Sequence, residues 1–142
     1  MALCVARVLS GTGFQVALVA RDNHLADLGM PILVEPDGPI HPLSGVLAAL
    51  EDVGPTGRAL IAPCDLPGLD PASVALLLAG DPPRVAEGQP LLAWLPGEWA
   101  ARVRTLRDAG APARRLAEGA IQVSLATDAL HNVNRLEDLF RS

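Results

Sequence analysis

The chain contains no lysine: all 11 of its basic residues are arginine. A lysine that grips a phosphate or forms a Schiff base is therefore excluded within these 142 residues. The 11 basic residues are outnumbered by 16 acidic ones, which gives a formal net charge of -5. This balance argues against nucleic acid or an anionic membrane surface as the main partner, and leaves only a locally basic pocket open.

Cysteine and long apolar runs are also scarce. Cys4 and Cys64 lie in apolar surroundings without CxxC spacing, so neither a disulfide framework nor a zinc site is indicated. No apolar run approaches transmembrane length, and the opening MALCVARVLS is too short and too early broken for a secretory signal. We therefore expect a cytoplasmic protein that does not bind a membrane.

Half of the residues are hydrophobic, which is enough for a continuous core in one domain over residues 1–142. Short apolar runs bounded by glycine and proline alternate with helical stretches. Strands that are buried on both faces and separated by helices indicate a three-layer α/β fold with a mainly parallel sheet. The predicted strands are FQVALVA, MPILVEP, RALIAP, PRVAEG, PLLAWL and IQVSLA.

Cap and stop residues delimit several of the predicted helices. Ser44 is a plausible cap for the helix LSGVLAALEDV, and Gly54 is its stop. Asp70 is expected to cap the next helix, with Pro71 at its first position, where a missing N–H costs nothing. The remaining predicted helices are ALCVARVLS, GEWAARVRTLRDAG, APARRLAEG and NRLEDLFRS.

Asp65 follows directly on the apolar strand that ends at Ala62. In open α/β sheets ligands bind outside the carboxyl ends of the strands, so Asp65 is expected at the lip of a binding crevice. Pro67 prevents the strand from continuing. One carboxylate facing a nucleotide suits Mg²⁺, which takes one or two protein oxygens and completes its shell with phosphates and water. A plain turn cap is the alternative for a lone aspartate of this kind.

Two further segments carry polar or loop chemistry. PLSG, residues 42–45, enters a helix, so its backbone N–H groups are suited to an anion or a base edge, although an ordinary helix start would have the same sequence. In HNVN, Asn132 and Asn134 alternate around Val133, which puts both amides on one side. Asparagine is also common at caps and turns.

In this order, HPLSG, PCDLP, GQPLLAWL and NVNRLEDL resemble the motifs of the MobA-like nucleotidyltransferases, the molybdenum cofactor guanylyltransferase family. That family pairs a GPLAG-type loop and helix with a strand ending in a CD-x-P turn, a later (Q/H)-P-x turn and an N-x-N-T-P-E-D-L segment. The resemblance runs from about Met1 to the C-terminus. Each motif alone is weak, but four in register are specific.

The resemblance implies transfer of GMP from GTP to molybdopterin, with pyrophosphate as the second product. On this basis Asp65 is the catalytic Mg²⁺ ligand, and Glu35 takes the acidic nucleotide-binding role, with Asp37 as its competitor. The implied nucleotide contacts are Glu35, Pro42, Leu43, Ser44, Gly45 and Asp65. The implied contacts to the pterin substrate are Gln89, Pro90, Arg114, Arg115, Asn132 and Asn134. The two arginines could instead form a solvated helix face. Molybdoenzyme-maturation proteins are implied partners.

The chain also departs from the family pattern. Family members begin with a further strand, a glycine-rich LAGG-type loop and a lysine. SGTG at residues 10–13 cannot replace that loop, because it ends a helix and enters a strand. An enzyme truncated at its N-terminus and a non-catalytic nucleotide- or pterin-binding relative are the two explanations. Cytidylyltransferases and phospholactate guanylyltransferases are related enzyme alternatives. Because the family's first strand is central, its loss predicts two unpaired strands and self-association.

Overall fold

The computed structural model describes residues 18–20, 32–36, 38, 41–63 and 69–125. The strands are β1 (Leu18–Ala20), β2 (Ile32–Val34), β3 (Arg58–Ile61), β4 (Arg84–Ala86), β5 (Gln89–Pro96) and β6 (Ile121–Val123). The α-helices are α1 (Leu43–Val53), α2 (Pro71–Leu77) and α3 (Ala100–Asp108). Two 3-10 helices span Gly97–Trp99 and Ala113–Ala117.

The described strands form two sheets. β1 and β2 pair in parallel, and a second sheet has the order β3-β5-β4-β6. Within it β4 and β6 are parallel, whereas β5 runs antiparallel to both β3 and β4. The sheet is therefore mixed, and the mainly parallel arrangement expected from the sequence holds only approximately. The reason is local: Glu87 and Gly88 alone separate β4 from β5, and so short a turn can only join antiparallel strands.

Side chains of the larger sheet alternate between two apolar cores. Ala59 and Ile61 of β3 pack into one core, while Leu60 packs into the other. The first core is shared with α1, α3 and the second 3-10 helix, and the other with α2. Helices thus cover both faces of the sheet, and the expected three-layer α/β architecture is confirmed.

Helix α1 matches the predicted span, but its start differs from the prediction. Ser44 is not the cap: it is the second helical residue, 1% exposed, and no side chain of the capping position bonds the helix end. Instead the Nδ1 atom of His41 accepts a hydrogen bond from the backbone N–H of Leu43 at 3.0 Å. Gly54 ends the helix as predicted, with a φ of 76° that favours glycine.

Helix α2 begins as the sequence predicts. Asp70 precedes it in an extended conformation and its Oδ1 accepts a hydrogen bond from the backbone N–H of Ser73 at 2.7 Å. Pro71 occupies the first helical position. The chain is thereby turned from the loop after β3 into a helix whose apolar side chains Val74 and Leu77 enter the second core.

The later elements follow the prediction in part. The predicted helix over 97–110 is a 3-10 turn followed by α3, and APARRLAEG forms a 3-10 helix rather than an α-helix. Only a short segment lies between Pro112 and Gly119, and it is too short to form a stable α-helix. The predicted first helix, ALCVARVLS, and the predicted last one, NRLEDLFRS, lie outside the described residues. None of the helices described is long and apolar enough to cross a membrane.

The two sheets share one covering helix. Among the described strands, β1 is hydrogen-bonded to β2 alone and β3 to β5 alone, yet α1 packs against β1, β2 and β3. Among the residues described, no backbone hydrogen bonds join the two sheets. Each of β1 and β3 leaves a row of backbone N–H and C=O groups without a partner strand among the described residues.

The open edges of β1 and β3, as they stand among the described residues, predict self-association of the chain. Edges with unpaired backbone groups next to apolar surface tend to pair with other copies. Static light scattering over a range of concentrations should therefore give a mass above that of one chain, rising with concentration. A monodisperse monomer at every concentration would contradict this expectation.

The Asp70 cap predicts a specific acid sensitivity. Hydrogen bonds from the Ser73 backbone and then its side chain lower the pKa of Asp70 below its usual 3.8. The unfolded chain then binds this proton more readily, so the cap's contribution is complete above about pH 5 and is lost as the pH falls through 3.8 and below. Urea unfolding between pH 7 and pH 3 should show this loss in the wild type.

The matched control is Asp70→Asn, which can still cap the helix but does not titrate. The variant should lose less stability than the wild type over the same acid range. Parallel curves for the two proteins would show that Asp70 does not contribute to the pH dependence.

Candidate functional site

The candidate site combines the end of β2, the start of α1 and the start of β5. Helix α1 connects the end of β2 to the start of β3 and packs against both strands. β5 is antiparallel to β3, with Ile61 opposite Ala93 and Arg58 opposite Pro96. The start of β5 therefore lies at the edge where β3 ends, the usual ligand edge of an α/β sheet.

Glu35 directly follows β2 and is half-buried. Val34, the last residue of β2, is 49% exposed, so the strand end opens toward solvent. Gly38 has a φ of 140°, a conformation that residues other than glycine rarely adopt. The described residues between β2 and α1, namely 35, 36, 38, 41 and 42, are here named the β2–α1 loop.

The PLSG motif offers a ligand mainly backbone groups and the exposed Pro42. Leu43 is fully buried and Ser44 is 1% exposed, so both side chains belong to the protein interior. Pro42 is exposed and Gly45 half-buried. A ligand at this end of α1 would meet Pro42 and the backbone around Gly45 rather than the side chains of the two buried residues.

His41 already uses two N–H groups of the helix start. Its ring accepts from the N–H of Leu43, and its carbonyl oxygen accepts from the N–H of Ser44 at 2.9 Å. On the other side of the ring, Nε2 lies 2.7 Å from the carbonyl oxygen of Ala111. A backbone N–H only donates and a carbonyl only accepts, so Nδ1 is the acceptor and Nε2 carries the proton. His41 thereby ties the β2–α1 loop to the turn after α3.

Gln89 and Pro90 stand at the first positions of β5. The Glu87–Gly88 turn, with Gly88 at a φ of 82°, brings Gln89 opposite Ala86. Both Gln89 and Pro90 are half-buried. The Gln89–Pro90 turn thus lies at the edge of the larger sheet where β3 ends. Glu35 lies at the end of β2, and residues 42–45 lie at the start of α1.

Arg114 and Arg115 lie in the 3-10 helix that packs against β5. Both are exposed, and the Nε atom of Arg115 donates to Glu118 Oε1 at 2.9 Å. An exposed pair of this kind contributes little to stability, so a phosphate could displace Glu118 at small cost. Arg114 has no ion pair within the part of the chain that the structure describes.

The remaining predicted site residues lie outside the described residues: Asp37, Asp65, Asn132 and Asn134. The described segments 32–36, 41–63 and 69–125 contain no group of three acidic, histidine or cysteine residues that could hold a metal ion. Mg²⁺ does not require such a group, because one carboxylate with phosphate and water ligands suffices. A metal role for Asp65 therefore stays a prediction.

The sequence did not indicate two residues that join the β2–α1 loop to α3 and the turn after it. One is His41, whose bond to Ala111 joins positions 70 apart in the chain. The other is Arg107 of α3, which is 6% exposed and lies against Gly38. The only signal for His41 was its place directly before PLSG. Nothing in the sequence distinguishes Arg107 from its exposed neighbours.

A mixed α/β sheet with helices on both faces is compatible with a nucleotidyltransferase domain. The model of the MobA-like NTP transferase domain matches residues 1–125, and the chain belongs to that family. A search of curated protein sequences finds no match.

Solved structures with the same fold support this membership. The crystal structure of molybdopterin-guanine dinucleotide biosynthesis protein A from Archaeoglobus fulgidus aligns with a TM-score of 0.73 at 20% identity, over 97% of this chain and 82% of that one. A protein from Aquifex aeolicus VF5 aligns with a TM-score of 0.73 at 20% identity, over 84% of this chain and 71% of that one. At this identity the likeness establishes the fold.

The two bonds of His41 can be separated by substitution. His41→Ala removes both, and the free energy of unfolding should fall by about 2 kcal/mol, the sum of a lost cap and a lost hydrogen bond. Asparagine is a good acceptor near a helix start but too short to reach Ala111, so His41→Asn should lose only about half as much. Urea unfolding of the three proteins measures both differences. Equal losses in the two variants would show that only one of the bonds contributes.

Proposed function

We propose that the protein is a guanylyltransferase of molybdenum cofactor biosynthesis that acts in the cytoplasm. In the reaction, a phosphate oxygen of molybdopterin attacks the α-phosphorus of GTP. The new bond forms the guanine dinucleotide cofactor, and the bond to the β-phosphate breaks to release pyrophosphate. Family membership supports the nucleotidyl transfer, and the four motifs in register favour the guanylyl branch.

The observation that carries the proposal is the match of the MobA-like NTP transferase domain to residues 1–125. The positions of three motif elements are compatible with it: Glu35 follows β2, residues 42–45 begin α1, and Gln89 with Pro90 lies at the edge where β3 ends. Ligands of α/β sheets bind outside the carboxyl ends of strands, so these positions support a ligand-binding role.

Each element has a proposed role. Glu35 accepts hydrogen bonds from donor groups of the nucleotide and so orients it. Residues 42–45 place their backbone and the exposed Pro42 alongside the nucleotide. Gln89 and Pro90 face the pterin. Arg114 and Arg115 bind the phosphate of molybdopterin, which a planar guanidinium can grip with two N–H groups. Asn132 and Asn134 bind near the same phosphate.

Asp65 is the proposed Mg²⁺ ligand. The ion, when bound, neutralises charge that develops on the transferring phosphate. A single carboxylate, here one that follows β3 in the sequence, fits the preference of Mg²⁺ for one or two protein oxygens. Molybdoenzyme-maturation proteins would receive the product.

Activity is tested with purified protein, Mg²⁺, molybdopterin and either GTP or CTP. Formation of the guanine dinucleotide and pyrophosphate from GTP alone is expected. Asp65→Asn should slow it by at least about a hundredfold, because the metal's electrostatic contribution is worth several kcal/mol. Asp52→Asn is the control, since Asp52 is an exposed carboxylate of α1. Preference for CTP, or for phospholactate as acceptor, would assign the protein to a related nucleotidyltransferase.

A non-catalytic nucleotide- or pterin-binding role is the second candidate. The observation that favours it is the absence of any lysine from the 142 residues, since phosphoryl transfer depends on electrostatic stabilisation. Titration calorimetry with GTP, with and without Mg²⁺, distinguishes the two. Tight binding without product formation supports the binding role, and turnover excludes it.

A further inference from the structure

Arg107 is a buried cation whose position is not explained by stability. It belongs to the last turn of α3 and is 6% exposed. A cation in the last turn favours the helix dipole, but an exposed arginine would do the same. Burial of a charge normally requires a full set of partners.

The partners of Arg107 are few. Its Nε atom donates to Oδ1 of the neighbouring Asp108 at 3.1 Å, and its NH2 atom lies 3.0 Å from the same oxygen as an ion pair. That carboxylate is itself 54% exposed, so it is a weak counterion. The buried NH1 atom has no acceptor in the part of the chain described. Replacing Arg107 by an apolar residue of similar size would therefore be nearly neutral for stability alone.

What Arg107 does contact is the β2–α1 loop. A Cβ atom placed on Gly38 would lie 3.0 Å from the NH2 atom and 3.1 Å from the Cζ atom of Arg107, so the guanidinium fills the space beside Gly38 that a side chain would need. With the bond from His41 to Ala111, this gives the loop two anchors on the C-terminal end of α3 and the turn after it. Glu35 and Pro42 stand at the two ends of that anchored loop.

We infer that Arg107 is a positioning residue for the nucleotide, acting through the β2–α1 loop. The guanidinium packs against Gly38 and thereby limits the movement of the β2–α1 loop. The loop in turn sets the distance between Glu35 and the start of α1. This inference rests on the proposed nucleotide-binding role of that edge. It adds a residue from a helix outside the four sequence motifs.

The substitution that tests this role is Arg107→Gln, and the control is Arg104→Gln. Arg104 lies on the same helix, is exposed, and pairs with Glu51 of α1 at 2.9 Å without touching the loop. Arg107→Gln should raise the Kd for GTP with Mg²⁺ at least about tenfold, while Arg104→Gln should stay within about twofold. In turnover, KM for GTP should rise with kcat nearly unchanged, because the ground state and the transition state lose the same support.

A readout without nucleotide separates the loop role from the proposed function. Amide hydrogen exchange at Gly38 and Leu43 should accelerate in Arg107→Gln and not in Arg104→Gln, under conditions where both are fully folded. Unchanged exchange in Arg107→Gln would overturn this inference alone. Equally tight GTP binding by the wild type and Arg107→Gln would do the same. A wild type that binds no nucleotide would overturn it together with the proposed function.

Discussion

The packing of helix α1 on both sheets is the constraint on which the other features depend. Its buried face, with Val46, Leu47 and Leu50, covers strands of two sheets that no hydrogen bonds join among the residues described. Burial of large aliphatic side chains contributes about 2 kcal/mol each, so this helix contributes substantially to holding the two sheets together. The end of β2 and the start of β3 are therefore both held by one helix.

Local signals in the sequence predicted much of the fold. α1 was predicted over its full span, since its apolar periodicity and Gly54 both act within the helix, and Asp70 with Pro71 marked the start of α2. The direction of β5 was not predicted, because a run of apolar residues fits a parallel or an antiparallel strand equally well. The two-residue connection between β4 and β5 is the signal for the direction of β5, because a connection this short joins antiparallel strands in a hairpin. That hairpin makes the sheet mixed.

The sequence motifs predict candidate site residues, but they do not predict contacts between distant residues. Glu35, PLSG and Gln89 are identified from their order along the chain, and they lie at the end of β2, the start of α1 and the start of β5. His41 and Arg107 were missed because their partners, Ala111 and Gly38, lie about 70 residues away. An arginine three residues from another on a helix gives no indication of which of the two is buried.

The division of the apolar interior into two cores has a practical consequence for spectroscopy. The chain has two tryptophans and no tyrosine. Trp94 lies in the core on the α2 face and donates its ring N–H to the carbonyl oxygen of Gly80, whereas Trp99 packs at the core on the α1 face with Arg102 stacked at 4.4 Å. Each layer thus contains its own intrinsic fluorophore. Replacing one tryptophan leaves an emission signal that reports on a single face of the sheet.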